Sequence, residues 1–364
     1  MPPPPGPWNP AGQPPIPPPG YYPQQPGWGA PPPPKPNNTI KWLLIGVGLL
    51  LVIAITVGVT VLVNNGGTGG DGQSTTTSAS GPPIASADDN GPVEIITSEP
   101  TCQAWMPASD AMARVQENGW GDRDAAVPAA EWSPQQKAQY EAVAKSLRET
   151  ADQSIHFAEQ TPNRLVRELY GQFIYFARAY ADAIPNYSPK DDYLAQANLA
   201  ASIAIDSVCQ SIAYGSAAAR STAVSPIDAP TSLPDVGDPS DPTPVVERSD
   251  STCTEIVALR ERLVADTTDW VKLDPNIPAS DWTPDQRALS ESAGSVMTRF
   301  ADDLEKLGSN SGNAVFQDLA SFGVVYFRAY VAGLSTYVSA DSYLSRAGSR
   351  ANNVLVAACQ AVAE

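Results

Sequence analysis

Two stretches decide the fold: WGDRDAAVPAAEWSPQQKA at residues 120–138 and WVKLDPNIPASDWTPDQRA at residues 270–288. They align without a gap at a shift of 150, and the match continues outward. Arg178-Ala179-Tyr180 meets Arg328-Ala329-Tyr330, DDYLAQA at Asp191 meets DSYLSRA at Asp341, and VCQ ending at Gln210 meets ACQ ending at Gln360. About a quarter of positions between 120 and 210 are identical, so the chain carries a tandem duplication, each copy large enough for a core of its own. Within a copy the apolar period is helical: Leu289, Ala293, Val296, Met297, Phe300, Leu304 and Leu307 form one stripe. Ser133-Pro134 and Thr283-Pro284, each with Gln three residues after the hydroxyl, are helix starts, and Thr161-Pro162 and Ser188-Pro189 repeat the pattern. The spacing predicts helices near 103–118, 134–159, 163–184 and 189–213, then 254–268, 284–307, 313–335 and 340–362. Pro107 is expected in the first turn of its helix, where a missing amide is tolerated. Short connections favour antiparallel neighbours, so the fold class is all-α: two tandem, duplicated four-helix-bundle-like domains.

The cysteines fit this plan. Cys102 and Cys253 open the first helix of each copy, and Cys209 and Cys359 stand near the end of the last. An up-down-up-down bundle brings those points to one end, so the pairs Cys102–Cys209 and Cys253–Cys359 can reach the roughly 5.5 Å that a disulfide needs. Oxidised pairs imply an exterior compartment.

Outside the repeat, residues 1–41 form a proline-rich arm, expected to be extended and without a core. Residues 42–63, WLLIGVGLLLVIAITVGVTVLV, are free of charge and at about 1.5 Å per residue long enough for a membrane-spanning helix. Lys35 and Lys41 precede this segment and five acids follow it by residue 100, which places the N-terminus in the cytoplasm and the C-terminal portion outside. Ala54 and Gly58 are spaced for close packing of two such helices. Residues 64–100 and 216–251 are poor in large apolar residues and are expected to be flexible linkers flanking copy 1 at 101–215 and copy 2 at 252–364. With 39 acidic against 22 basic residues the net charge is −17, which argues against nucleic acid as a partner.

Catalytic constellations are sparse. Asp152, His156 and Glu159 share a helix face, but copy 2 has Asp302, Lys306 and Ser309 there, so a solvated face is the expected reading and no metal or cofactor is assigned. The sequence shows no nucleophile elbow, no C-x-x-C redox spacing and no phosphate loop, and an enzyme is not expected. The candidate binding or structural residues are polar and aromatic positions present in both copies: Trp120 and Trp270, Trp132 and Trp282, Arg178 and Arg328, Tyr180 and Tyr330, Asp191 and Asp341, Tyr193 and Tyr343. Arg178 interrupts an apolar helix, so it is either ion-paired across the bundle, with Asp191 as partner, or faces an anion-binding groove. Asp191 suits a helix start. The tryptophans bracket the loop into the second helix and either fold it over the bundle end or offer a stacking platform.

The arm and span, MPPPPGPWNPAGQPPIPPPGYYPQQPGWGAPPPP followed by KWLLIGVGLLLV, resemble the proline-rich, single-pass cell-envelope proteins of actinobacteria, notably mycobacterial types. The resemblance covers about the first 65 residues. It implies a membrane anchor with an exterior domain and carries no catalytic residue. The expected function is a non-enzymatic envelope protein whose duplicated module binds a protein or envelope component outside. The alternative is a small-ligand sensor or carrier that signals through the span to the arm, which itself has room for a cytoplasmic partner.

Overall fold

The structure, a computed structural model, describes residues 84–363 except 118. The arm and the apolar segment 42–63 lie outside the described residues, among which no helix is long and apolar enough to cross a membrane.

Copy 1 is built from α1 (Cys102–Gln116), α2 (Pro134–Gln160), α3 (Arg164–Ala183) and α4 (Asp192–Ala213), followed by a short α5 (Ser216–Arg220). Copy 2 repeats the plan with α6 (Ser251–Asp266), α7 (Pro284–Asn310), α8 (Ala314–Gly333) and α9 (Ser342–Val362). Each helix packs on its neighbours in sequence, and the first closes onto the last, giving two four-helix bundles. The expected disulfides form, Cys102 to Cys209 and Cys253 to Cys359, with Cα separations of 5.4 and 5.2 Å. Ser133 and Thr283 each accept from the amide of the Gln three residues on, at 3.2 Å, while that Gln side chain accepts from the cap amide at 2.9 Å.

Two local expectations are corrected. The Thr161 hydroxyl donates to Glu99 Oε2 at 2.7 Å, so α3 starts later, capped by Asn163, whose side chain accepts from the Val166 amide at 3.2 Å. Pro107 is the sixth residue of α1 and lies beyond its first turn, because the helix already begins at Cys102.

The larger difference is that the copies do not stand apart. Residues 84–363 belong to one compact unit. Its most extensive helix pairing joins the copies, α4 against α9. The two run in opposite directions, since Tyr214, just past the end of α4, stacks on Tyr343 at the start of α9 with ring centroids 5.4 Å apart. Both helices are rich in buried alanine, including Ala197, Ala201, Ala347 and Ala351, and such small side chains let the backbones approach closely.

The segments read as flexible linkers are ordered straps where they are described. Val93 and Ile227 exchange backbone hydrogen bonds in an isolated antiparallel bridge, tying one strap to the other. Val93, Ile95, Ile96 and Val245 of these segments are buried, and Val224, Ile227 and Val246 pack half-buried against the core. Sparse apolar content suffices here because side chains of the bundles satisfy the strap backbone: Gln172 holds the Val245 amide at 2.7 Å, and Asn313 of copy 2 donates to the Val245 carbonyl at 2.7 Å.

Candidate functional site

Each bundle end is closed by the loop carrying the paired tryptophans. Trp132 Nε1 donates to the Val127 carbonyl and Trp282 Nε1 to the Ile277 carbonyl, both at 2.9 Å. Trp132 stacks on Tyr140 at 3.7 Å, and Trp120 meets Tyr140 edge-on at 4.7 Å and Tyr180 at 6.2 Å. In copy 2 Trp270 meets Tyr330 at 5.9 Å and Trp282 stacks on Tyr337 at 5.5 Å. Burial raises the Tyr180 and Tyr330 phenols far above their ordinary value. Tyr187 and Tyr337, passed over in the sequence although identical in register, pin this loop. Their hydroxyls donate to Ala125 and Pro275 carbonyls at 2.8 and 2.6 Å, and their own carbonyls accept from Ala129 and Ala279. Arg123 lies 4.1 Å above the Trp120 ring and donates to Asp192 at 2.6 Å, an element of copy 1 with no arginine at the matching Leu273.

The arginines at 178 and 328 do not reach Asp191 or its counterpart. Arg178 donates to Asp152 on α2 at 2.7 Å and to the strap carbonyl of Ser240 at 2.6 Å; Arg328 donates to Asp302 at 2.8 Å and Glu305 at 2.6 Å. Asp152 and Asp302 are themselves 150 apart, so the ion pair was visible in the repeat once helix two was aligned to helix three. Asp191 is occupied with the Ser188 amide and hydroxyl, at 2.7 and 2.9 Å. Asp341 binds the Val338 amide at 3.0 Å and receives a two-pronged contact from Arg220 of α5, at 3.0 and 2.7 Å. Tyr193 is half-buried, whereas Tyr343 is buried under Tyr214. His156 is exposed, with Nδ1 3.4 Å from Glu159 Oε2. Among the described residues no group of three or more His, Cys, Asp or Glu is placed to hold a metal ion.

A buried ionic cluster lies where the copies meet. Glu168 of α3 and Asp318 of α8 share one register position. Arg164 grips Asp318 through Nε and Nη2 at 2.8 and 3.0 Å, and its Nη1 and amide hold the strap at Asp89 and Gly91. Arg167 holds Ser86. Neither Glu168 oxygen has a hydrogen-bond partner, and burial, reinforced by the Asp318 charge, pushes its carboxyl well above the usual range. The signal was an acid at the same place in two apolar helices. A shallow polar recess of about 600 Å³ borders the second strap, lined among others by Thr243, Arg248, Asp250 and Asn313.

The family model for mycobacterial ESX-1 associated proteins matches residues 84–364. An uncharacterized protein of Mycolicibacterium smegmatis (strain MKD8) is 42% identical over 348 residues, covering 95% of this chain and 92% of the relative. The chain belongs to the mycobacterial ESX-1 associated protein family. No solved structure matches it. The family region begins at Ile84, so the first strap belongs to the ESX-1 associated unit together with both bundles, as the hydrogen bonds from Arg164 and Arg167 require.

Proposed function

We propose that the chain is a single-pass envelope protein whose helical body lies outside the membrane and binds a protein or envelope component connected with ESX-1, without catalysing a reaction. The observation that carries this reading is the extent of the family match, which takes in the strapped, duplicated body and leaves the arm and apolar segment outside. Two disulfides suit an oxidising exterior. The charge-free segment 42–63, with lysines before it and acids after it, supplies the anchor and its orientation. Large apolar side chains exposed on the body, Leu199 and Tyr214 on the α4 side and Val271 and Val338 in copy 2, offer contact points.

The test is crosslinking in M. smegmatis cells with the tagged full chain, followed by mass spectrometry. ESX-1 components are expected with the full chain and not with a chain lacking 84–364. Equal recovery by the truncated chain, or none by the full chain, overturns the reading.

A further inference from the structure

The first strap is held in two different ways along its length. Residues 93–101 are fixed by burial: Val93, Ile95 and Ile96 lie in the core, Val93 is bridged to Ile227, and Glu99 accepts from the Thr101 and Thr161 hydroxyls, both at 2.7 Å. Residues 84–92 bury no apolar side chain, and what ties them to copy 1 is polar. The Ala85 amide donates to the Glu159 carbonyl at 2.8 Å, Arg167 Nη1 to the Ser86 carbonyl and hydroxyl at 2.9 and 2.8 Å, and Arg164 Nη1 to the Asp89 and Gly91 carbonyls at 2.8 and 3.2 Å. A segment that buries no apolar side chain opens far more readily than the fold as a whole.

Arg164 is shared between this segment and copy 2. Its Nε and Nη2 donate to Asp318 at 2.8 and 3.0 Å while Nη1 is on the strap, so one guanidinium joins the strap, α3 and α8. Glu168 stands four residues after Arg164 on α3, a spacing that puts the two side chains on one helix face, where opposite charges pair. With all three Arg164 nitrogens engaged, Glu168 is left out, and both its oxygens are buried without a hydrogen-bond partner. An unmatched buried carboxyl disfavours the arrangement that leaves it unmatched. The docked strap therefore coexists with a competitor for the arginine that holds it. The helical module does not require this device: copy 2 has Ala314 and Gln317 at the positions of Arg164 and Arg167, and its α8 forms over the same span.

We propose that residues 84–91 are a releasable latch on the junction between the copies: docked, they hold Arg164 on Asp318; released, they let Arg164 turn to Glu168 and give up its bond to copy 2. Loss of the Asp89 and Gly91 carbonyls leaves Arg164 held across the junction by Asp318 alone, against a second carboxyl on its own helix. The latch is independent of the ESX-1 reading, since it concerns contacts within the body and not a protein partner.

The experiment is hydrogen–deuterium exchange of the full chain in detergent, read by mass spectrometry on peptides that separate 84–91 from 93–101. Residues 84–91 are expected to exchange about tenfold faster than 93–101. Glu168→Gln takes away the competing charge and is expected to slow exchange in 84–91 about threefold, whereas Glu141→Gln, at an exposed acid of α2, is expected to leave it unchanged. Asp318→Asn weakens the hold of copy 2 on Arg164 and is expected to speed exchange in 84–91 about threefold, with the parent rate restored when Glu168→Gln is added. A strap loosened only by a weaker fold is not restored by a second substitution. Equal exchange across 84–101, no slowing by Glu168→Gln, or no rescue in the double variant overturns the proposal; if Asp318→Asn does not fold, slowing by Glu168→Gln supports the latch and its absence overturns it.

Discussion

Glu168 and Asp318 hold the same position in the two copies but different surroundings, because Arg164 donates only to Asp318 while neither Glu168 oxygen has a hydrogen-bond partner. Asp318→Asn removes the buried carboxylate that Arg164 grips with two hydrogen bonds and is expected to cost about 3–5 kcal/mol in urea unfolding. Glu168→Gln removes a carboxyl that no group hydrogen-bonds and is expected to cost less than about 1 kcal/mol; equal losses would show that the Glu168 carboxyl supports the cluster as much as Asp318 does. Asp206 gives a titration. Burial raises its carboxyl from 3.8 to about 6 despite the bonds from Trp105 and Ser109. The folded state therefore binds this proton more tightly than the unfolded one, so its contribution is greatest below about pH 4 and is lost as the pH rises through about 6, a swing on the order of 3 kcal/mol. Asp206→Asn is expected to flatten the fall in melting temperature between pH 4 and 6, and an unaltered slope would show that other groups produce it. None of these environments was readable from the residues themselves, since each depends on which groups arrive from a distant segment.

At the scale of the helix, two glycines predict opposite outcomes. A Cβ on Gly348 of α9 would stand 2.9 Å from the Gly323 carbonyl oxygen of α8, a backbone atom that cannot step aside. Gly348→Ala is expected to lose about 1–3 kcal/mol. A Cβ on Gly171 of α3 meets only Pro242 of the strap at 3.6 Å, so Gly171→Ala is expected to gain up to about 1 kcal/mol from helix propensity. Thermal melts of both variants decide this; a stabilised Gly348→Ala would show that α8 and α9 can separate freely. Caps behaved according to their local chemistry wherever no outside group intervened. Ser133 and Thr283 were legible because hydroxyl, proline and glutamine stand within four residues. Thr161 was not, since buried Glu99 takes its hydroxyl and leaves the capping to Asn163, a residue also present in the repeat as Asn313.

The whole molecule unites what the repeat suggested were two domains. The α4 and α9 pairing and the ion pair of Arg164 with Asp318 cross between copies, and the straps bind both. One calorimetric transition, with van't Hoff and calorimetric enthalpies in agreement, is therefore expected for the body. Two separated transitions would restore independent bundles. The bundle-end part of the candidate site was legible because the same aromatic and hydrogen-bonding residues recur at a fixed shift. The hold of Arg164 and Arg167 on the first strap was not, because copy 2 has Ala314 and Gln317 at their positions and a search for repetition passes over them.

The sequence alone determined the duplication, the helices within narrow bounds and the two disulfides, since these follow from period, register and cysteines at the ends of matched helices. The tertiary structure alone decided that the copies fuse, that the polar straps are ordered, and which carboxylate each arginine meets. An alanine-lined helix face reads the same whether it packs within its own bundle or against the other copy, and a strap is held by side chains more than fifty residues away, so the deciding contacts are long-range and leave no local pattern.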